Sequence, residues 1–305
     1  MGTYLVFDTN ALPSSSNFTS AFWMALFRLC ALKEIQPAIS EVTLHEASNM
    51  RREAANRHLK PFLAAHAELS RMTSIEPIYA PTGEDVAGEF EDRLRELFEV
   101  LPLDGADAVE AFRREARRLA PARLGKGGRD SAIWLTVAKL ANDGNEIFFV
   151  TDNTKDFGHG GLYTELLAEV AGAPHPIQYL SDANEFVSKI ATSVSLRAFG
   201  EEQLAAAFAS SIRSEVIRAL EADDSPEHTV DRALAANVEM RDVRASQGYV
   251  VDGHGLALIR ATTTLADPTG VQWSTATLHG WLEFEVGTFV PQAGAVERLA
   301  DLTFR

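Results

Sequence analysis

The chain has 305 residues, of which 46% are hydrophobic and 23% charged, a composition that excludes disordered and fibrous proteins. Its length exceeds the usual size of one domain and predicts two domains, or one domain with a large appendage. The net charge of −15 creates a field that repels nucleic acid, so any phosphate-binding function needs a local basic patch or bound cations.

The only cysteine, Cys30, excludes an intramolecular disulfide and a cysteine-based zinc site. A single thiol fits a reducing compartment, so we expect a cytoplasmic protein. The N-terminus lacks the charged and apolar regions of a signal peptide, and no stretch reaches the roughly 18 apolar residues that span a bilayer. We therefore expect no membrane partner.

The first part of the chain alternates short apolar runs with helical patterns. The runs are TYLVF (3–7), IQPAI (35–39), NEIFFV (145–150) and HPIQYL (175–180). Strands that lead through a loop into a helix are typical of βα units, so the pattern predicts an α/β fold with a parallel sheet. The residues from about 50 to 125 predict a helical insertion, and the helix that opens at Ser40 is expected to be interrupted at about Pro61. Within it, a charged segment from 82 to 119 has helical period, and Pro102 separates its two helices.

The pattern changes after about residue 191. A helix is predicted over 201–222, and DDSP (223–226) predicts a turn or linker. The remaining residues alternate with a period of two and predict a small antiparallel meander. The sequence thus predicts an α/β domain over 1–190 and a C-terminal α+β domain over 191–305, to which no role is assigned.

Acidic residues lie at the ends of several predicted strands. Asp8 follows the first strand, Glu46 lies on the helix after the second, Asp130 begins the helix before the third, and Asp152 and Asp156 follow the third. Ligands of open parallel sheets bind beyond the carboxyl ends of the strands, so these side chains are expected to share one crevice. Carboxylates that converge repel one another, and a hard divalent cation removes that repulsion. The pattern favours Mg²⁺ or Mn²⁺ and phosphodiester hydrolysis.

Each of these residues also has a purely structural explanation. Asp8 could cap a turn, Glu46 could be a solvated helix residue, and Asp130 could be a helix N-cap. Asp152 and Asn153 are common turn residues. Only their joint placement favours a functional site.

Four motifs carry a resemblance to a known family: VFDTNAL (6–12), AISEVTLHEAS (38–48), GRDSAIWLTVAKLA (128–141) and FFVTDNTKDF (148–157). In their order and surroundings they resemble the PIN-domain ribonucleases, the family that contains the VapC-type toxins. The resemblance covers about residues 3–190. It implies a three-layer α/β/α sandwich and an endoribonuclease that uses Mg²⁺ or Mn²⁺ on single-stranded or structured RNA.

The resemblance also implies roles for individual residues. Asp8, Glu46 and Asp130 would hold the metal or orient its water, Asn153 would take the family's variable fourth position, and Asp152 or Asp156 would complete the site. Whether an antitoxin or regulatory protein is a partner, and whether the chain acts as a toxin or a defence effector, stays open. Self-association into a homo-oligomer stays open. The long insertion and the C-terminal part depart from compact PIN toxins.

The strongest basic cluster lies between Arg113 and Arg129, where seven basic residues accompany one acid, Glu115. Because Arg and Lys supply most of the sequence-independent affinity for nucleic acid, Arg123, Lys126 and Arg129 are predicted to bind the substrate. The glycines of LGKGGR would let backbone amides approach a phosphate. Alternatively, the arginines of residues 113–118 form a solvated helix face that is paired with acids of the helix at 84–99.

Two other functions compete with a nuclease. The first is a PIN-like fold that binds RNA or a protein without catalysis. The second is a phosphatase with an aspartyl nucleophile on the first strand. That chemistry usually needs a second Asp two residues further on, and this chain has Asn10 there.

Overall fold

The computed structural model describes residues 1–13, 18, 21–196, 199–222 and 227–304, which form two compact units, Met1–Val187 and Ser188–Arg305. The turn predicted at 223–226 lies outside the described residues. The elements of the first part of the chain are β1 (Thr3–Phe7), α1 (Ala21–Leu32), β2 (Ile35–Ser40), α2 (Glu41–Met72), α3 (Gly83–Leu97), β3 (Glu99–Leu101), α4 (Gly105–Arg117), α5 (Gly128–Asn142), β4 (Glu146–Val150), α6 (Thr154–Phe157), α7 (Thr164–Glu169), β5 (Gln178–Leu180) and α8 (Ala183–Ile190).

A parallel sheet of five strands organises the first unit. Its order is β3-β2-β1-β4-β5, with β1 in the centre between β2 and β4. From β1 the chain adds β2 and then β3 on one side, and it later adds β4 and β5 on the other side of β1. The order therefore reverses between β1 and β4, and the carboxyl ends of these two strands are where a ligand site is expected.

Helices cover both faces of this sheet because successive side chains of a strand point to opposite sides. Val6 and Phe149 are fully buried on one face, in a cluster with Trp134 of α5. Phe7 points to the other face, where its ring lies 5.3 Å from Trp23 of α1 and 5.7 Å from Phe98. The predicted α/β/α sandwich is confirmed.

The insertion differs from its prediction in two places. Glu99–Leu101 forms β3, an edge strand that pairs with residues 38–40, within a segment predicted to be helical. The buried ring of Phe98 packs beside Phe7, and tertiary pairing there overrides the helical pattern. In addition, α2 continues without a break through Pro61, where the sequence predicted an interruption.

The second unit contains β6 (Thr192–Ser193), α9 (Glu201–Ala222), α10 (Glu227–Ala235), β7 (Asn237–Val251), β8 (His254–Ala266), β9 (Gln272–Glu285) and β10 (Pro291–Phe304). Its sheet has the order β10-β9-β8-β7-β6 and is antiparallel, as predicted, whereas α10 was not predicted. Asp252 and Gly253 both have positive φ, which gives the tight turn between β7 and β8. Phe208 of α9 packs on Gly280 and Gly294, where any Cβ would lie within 2.8 Å of its ring.

Candidate active site

Asp8 lies at the switch point of the parallel sheet and is almost completely buried, with 2% of its surface exposed. Its amide donates a hydrogen bond to the Val150 carbonyl of β4 at 3.0 Å. Its carboxylate accepts from the Thr9 amide at 2.7 Å and from the Thr151 hydroxyl at 2.6 Å. Burial raises the pKa of Asp8 from 3.8 to about 6, the two hydrogen bonds lower it, and the charges of Glu46 and Asp152 raise it further.

Asp130 occupies the first turn of α5, where the backbone is shaped by glycine. Gly127 has a φ of 107°, and a Cβ there would lie 2.9 Å from the Asp130 Oδ2 atom. This position therefore requires a residue without a side chain. Burial raises the pKa of Asp130 to about 7, and the charges of Asp8, Asp156 and Glu46 add to the increase. The charge of Asp8 thus acts on the pKa of Asp130.

Glu46 lies in the second turn of α2, which begins at the N-cap Ser40 directly after β2. Its Oε2 atom accepts a hydrogen bond from the Thr9 hydroxyl at 2.9 Å. Its Oε1 atom forms an ion pair with Arg129. Glu46 is thereby joined both to the residue that follows Asp8 and to the residue that precedes Asp130.

The residues after β4 surround the same site. The Asn153 side-chain amide donates to Asp130 Oδ1 at 3.0 Å, so Asn153 orients Asp130 in this structure. Asp156 acts on the pKa of Asp130, and the exposed Asp152 acts on that of Asp8. The two acids that the sequence offered as alternatives therefore influence different carboxylates.

The donor set fits a hard divalent cation in its chemistry, because it consists of carboxylate, amide and hydroxyl oxygens. Within residues 1–13, 18, 21–196, 199–222 and 227–304, no three His, Cys, Asp or Glu side chains converge as a ready-made metal cage. In this structure Asn153 holds Asp130, while Thr9 and Arg129 hold Glu46. Mg²⁺ commonly uses only one or two protein carboxylates and keeps several waters, so a closed cage is not required.

The basic residues predicted to bind substrate have different surroundings. Arg123 pairs with Glu165 at 2.7 Å, and its guanidinium lies 3.8 Å from the ring centre of Tyr163. Lys126 is exposed on the loop before α5, and Arg129 extends from α5 to Glu46 with 70% of its side chain exposed. Lys126 and Arg129 line one cleft with the acids, and the residues lining that cleft do not include Arg123.

The arginines at the start of the basic cluster pair differently from the alternative considered above. Arg113 pairs with Glu110 of its own helix at 2.6 Å. Arg114 is buried and donates to both carboxylate oxygens of Glu169, at 3.1 and 2.9 Å. The acids that pair with Arg113 and Arg114 lie on α4 and α7 rather than on the helix at 84–99. Arg114 joins these two helices and so has a structural role.

A cleft of about 540 Å³ opens beside the acids between α2, α4 and α5. Its apolar lining consists of Val42, Leu103, Ala108, Ala111, Phe112 and Ala132, and its polar lining includes Glu46, Glu115, Lys126, Arg129 and Asp130. The Glu115 Oε2 atom accepts the Gly128 amide at 2.6 Å and ties the glycine loop to α4. A second cleft of about 400 Å³, on the other side of α2, is lined by Thr9, Arg51 and Phe90 among others.

Sequence reasoning missed the two threonines that hold the acids. Thr151 donates to Asp8, and Thr9 donates to Glu46. The signal was present in both motifs, since each threonine lies at or next to the end of a buried strand, in FDTN and FVTDN. A hydroxyl at such a position is a short donor that can reach a neighbouring carboxylate.

Of the comparisons with known proteins, one identifies the family. The family model of the PIN domain matches residues 5–157, half of the chain, and that range contains all four acidic motifs. The search of curated proteins finds no match. A solved structure of VapBC2 from Rickettsia felis, bound to a DNA fragment from the promoter, matches at 13% identity over 58% of this chain and 97% of the other, with a TM-score of 0.31 that is too low to show a common fold.

No helix in the described part of the chain is long and apolar enough to cross a membrane. PIN domains are generally nucleases and typically use divalent metals. The parallel sheet, the acids at its switch point and the family match lead to one conclusion. The chain belongs to the PIN-domain family.

Proposed function

We propose that the first unit is a divalent-metal-dependent endoribonuclease that hydrolyses phosphodiester bonds of RNA. The observation that carries the proposal is the uncompensated negative charge at the ends of β1 and β4. Asp8 is buried, its contacts are two hydrogen-bond donors, and the charges that act on it belong to Glu46 and Asp152. Such a site gains stability from a cation, and perturbed carboxylates of this kind cluster at functional sites.

In this proposal Asp8, Glu46 and Asp130 would hold Mg²⁺ or Mn²⁺, and Asp152 and Asp156 would act from the rim. The metal, when bound, would lower the pKa of a water molecule and screen the charge that develops on the phosphate. The chain itself positions the acids. The Thr9 amide and the Thr151 hydroxyl each donate to one oxygen of the Asp8 carboxylate, and the Thr9 hydroxyl donates to Glu46. Asn153 fixes Asp130 by the hydrogen bond to Oδ1.

We also assign Lys126 and Arg129 to the substrate side of the site. Both line the cleft that contains Glu46 and Asp130, so a phosphate near the acids would meet their positive charges. Arg123 contacts Glu165 and Tyr163, so we assign it a weaker contact with the substrate than Lys126 and Arg129. These cations would offset the repulsion that a net charge of −15 exerts on RNA.

Incubation of the purified protein with end-labelled RNA tests the proposal. We expect cleavage with Mn²⁺ or Mg²⁺, none with EDTA, and a loss of about a thousandfold or more in Asp8→Asn, because one of the charges that hold the metal is removed. The matched control is Asp143→Asn, since Asp143 lies at the other end of α5. Cleavage that persists in Asp8→Asn would refute this assignment.

One observation favours the alternative of a PIN-like module that binds without catalysis. Arg129 already neutralises Glu46, so the chain carries a cation where a metal would otherwise be needed. RNA binding without any turnover at millimolar Mn²⁺ would support this alternative. Cleavage that EDTA abolishes and Mn²⁺ restores would exclude it.

A further inference from the structure

We propose that the cleft between α2, α4 and α5 binds a nucleobase of the RNA next to the cleaved phosphodiester, and that Phe112 is its stacking platform. This rests on the proposed function. Glu46 and Asp130 belong both to the acidic site and to the wall of the cleft, so a nucleotide bound there is continuous with the reacting phosphate. The cleft volume of about 540 Å³ lies within the range of small-ligand sites.

Phe112 is exposed at the cleft. Its side chain is on the rim of the cleft, and 73% of the residue is accessible although it is a large aromatic. The neighbouring Ala111 and Arg114 face inward and are buried, so α4 packs without help from Phe112. An exposed aromatic ring beside a phosphate-processing site is the feature on which unpaired bases stack.

The cleft is divided into apolar and charged parts. The floor is formed by small and branched apolar residues, which suit the flat faces of a base. Lys126 and Arg129 lie on the polar side, where they can neutralise the phosphate that the base carries. A purely apolar ligand would make no contact with the charge of Lys126, and a free phosphate would leave the apolar floor uncovered.

The second cleft provides a comparison that favours the first. Its aromatic residue, Phe90, is only 5% exposed, and the guanidinium of Arg51 lies 4.3 Å from its ring centre. The face of that ring is therefore already covered. Of the two clefts beside the acids, the one with Phe112 offers an open aromatic surface.

The test measures binding rather than cleavage, so that it does not depend on the nuclease activity. The full chain is titrated in EDTA and low salt against a fluorescein-labelled single-stranded RNA hexamer and against an abasic hexamer of equal charge, with fluorescence anisotropy as readout. We expect Phe112→Ala to weaken binding of the base-containing hexamer roughly tenfold and to leave the abasic one unchanged. Phe112→Tyr, which keeps the ring, should bind like the wild type.

Two further variants separate the parts of the cleft. Lys126→Ala should weaken both hexamers by the same factor and reduce the salt slope by roughly 0.7, because it removes one phosphate contact. Phe62→Ala is the matched control, since Phe62 is an exposed aromatic on α2 that is not among the residues lining the cleft. It should have no effect on either hexamer.

The proposal is overturned if Phe112→Ala binds both hexamers as the wild type does, if it weakens both equally, or if the wild type binds neither. Equal weakening would indicate a general change of the surface, and the first result would indicate that the cleft serves another partner, such as a protein. The nuclease proposal fails separately: base-dependent binding without metal-dependent cleavage would leave the cleft assignment in place and remove only the catalytic one.

Discussion

Two groups of charged side chains in the first unit, each with one buried member, are built in opposite ways. Arg114 and Glu169 form a matched pair with two hydrogen bonds, at 3.1 and 2.9 Å, and the Trp134 indole donates to the same carboxylate at 2.9 Å. Asp8 and Asp130 have no such match, because the charges that act on them are those of other acids and raise both pKa values. A matched pair offsets the cost of burying its charges, whereas unmatched acids with raised pKa values are typical of functional sites.

The matched pair should show the largest effect on stability. Replacing Arg114 by Met removes the two guanidinium donors of Glu169 and the donor of the Ala120 carbonyl, while the Trp134 indole still donates to Glu169. Because Arg114 is buried, removing it costs more than the net contribution of the ion pair. We expect Arg114→Met to lower the free energy of unfolding by about 3 kcal/mol, measured by urea denaturation followed by circular dichroism. RNA binding in the folded variant should be retained.

Arg113→Met is the control for that change. Arg113 and Glu110 form an ion pair whose side chains are 52% and 29% exposed, so solvent screens their attraction. We expect a loss of at most about 1 kcal/mol. Equal effects of the two substitutions would contradict the distinction between the buried Arg114 and the exposed Arg113.

At the unmatched acids a substitution should raise the free energy of unfolding, because it removes a charge that is costly to keep in the folded chain. Burial raises the pKa of Asp8 from 3.8 to about 6 in the folded chain, so in the absence of metal its ionisation costs about 3 kcal/mol of stability. The Asn amide in Asp8→Asn accepts less well from Thr9 and Thr151 than the carboxylate does, which offsets about 1 kcal/mol of the gain in stability. We therefore expect Asp8→Asn to be about 2 kcal/mol more stable than the wild type at alkaline pH.

The pH dependence of the difference in stability between the wild type and Asp8→Asn shows whether titration of Asp8 causes it. In strong acid Asp8 is protonated in both the folded and the unfolded wild type, so its contribution is absent. As the pH rises from the ordinary pKa of 3.8 to about 6, the unfolded chain ionises first and the wild type loses stability relative to Asp8→Asn. Thermal melts of both proteins across this range check it, and a difference that does not change with pH would contradict a titration of Asp8.

Glu46 is intermediate between the matched pair and the unmatched acids, because Arg129 forms a largely exposed ion pair with it. Removing its charge should strengthen metal binding, because the cation that competes for Glu46 disappears. We expect Arg129→Gln to bind Mn²⁺ up to about fivefold more tightly, as the ion pair is largely exposed. Calorimetric titration measures this, with Arg123→Gln as a control whose charge is held by Glu165. Weaker Mn²⁺ binding by Arg129→Gln would show that Arg129 supports the site instead.

The smallest expected effect separates the two acids after β4. Asp156 raises the pKa of Asp130, whereas Asp152 raises that of Asp8. Asp156→Asn should therefore lower the pKa of Asp130, and Asp152→Asn should lower that of Asp8, each by less than the effect of burial. Carboxyl carbon resonances followed by NMR during a pH titration report both values. Both substitutions acting on the same carboxylate would contradict the geometry.

The sequence predicted those parts of the molecule that depend on local pattern. The runs around β1, β2 and β4 are short, apolar and followed by a polar residue, and the helix predicted over 201–222 coincides with α9. Strand β3 was missed because its three residues continue a helical pattern and become a strand only by pairing with β2. Such pairing depends on residues far away in the chain and leaves no local signal.

The same limit applies to the candidate site. The positions of Asp8, Glu46 and Asp130 follow from the rule that ligands bind at the carboxyl ends of parallel strands. The contact of Arg129 with Glu46 joins residues 83 positions apart, and that of Thr151 with Asp8 joins residues 143 apart. A sequence can identify the acids of the crevice, but side-chain packing determines which donor each of them meets.

A diffraction experiment on crystals soaked in Mn²⁺ shows whether the acids at the ends of β1 and β4 bind a metal, because anomalous scattering locates the ion. We expect an anomalous peak within bonding distance of carboxylate oxygens of Asp8 and Asp130, in the wild type and not in Asp8→Asn. A soaked wild-type crystal without a peak at the ends of β1 and β4, or with Mn²⁺ bound only elsewhere, would contradict it.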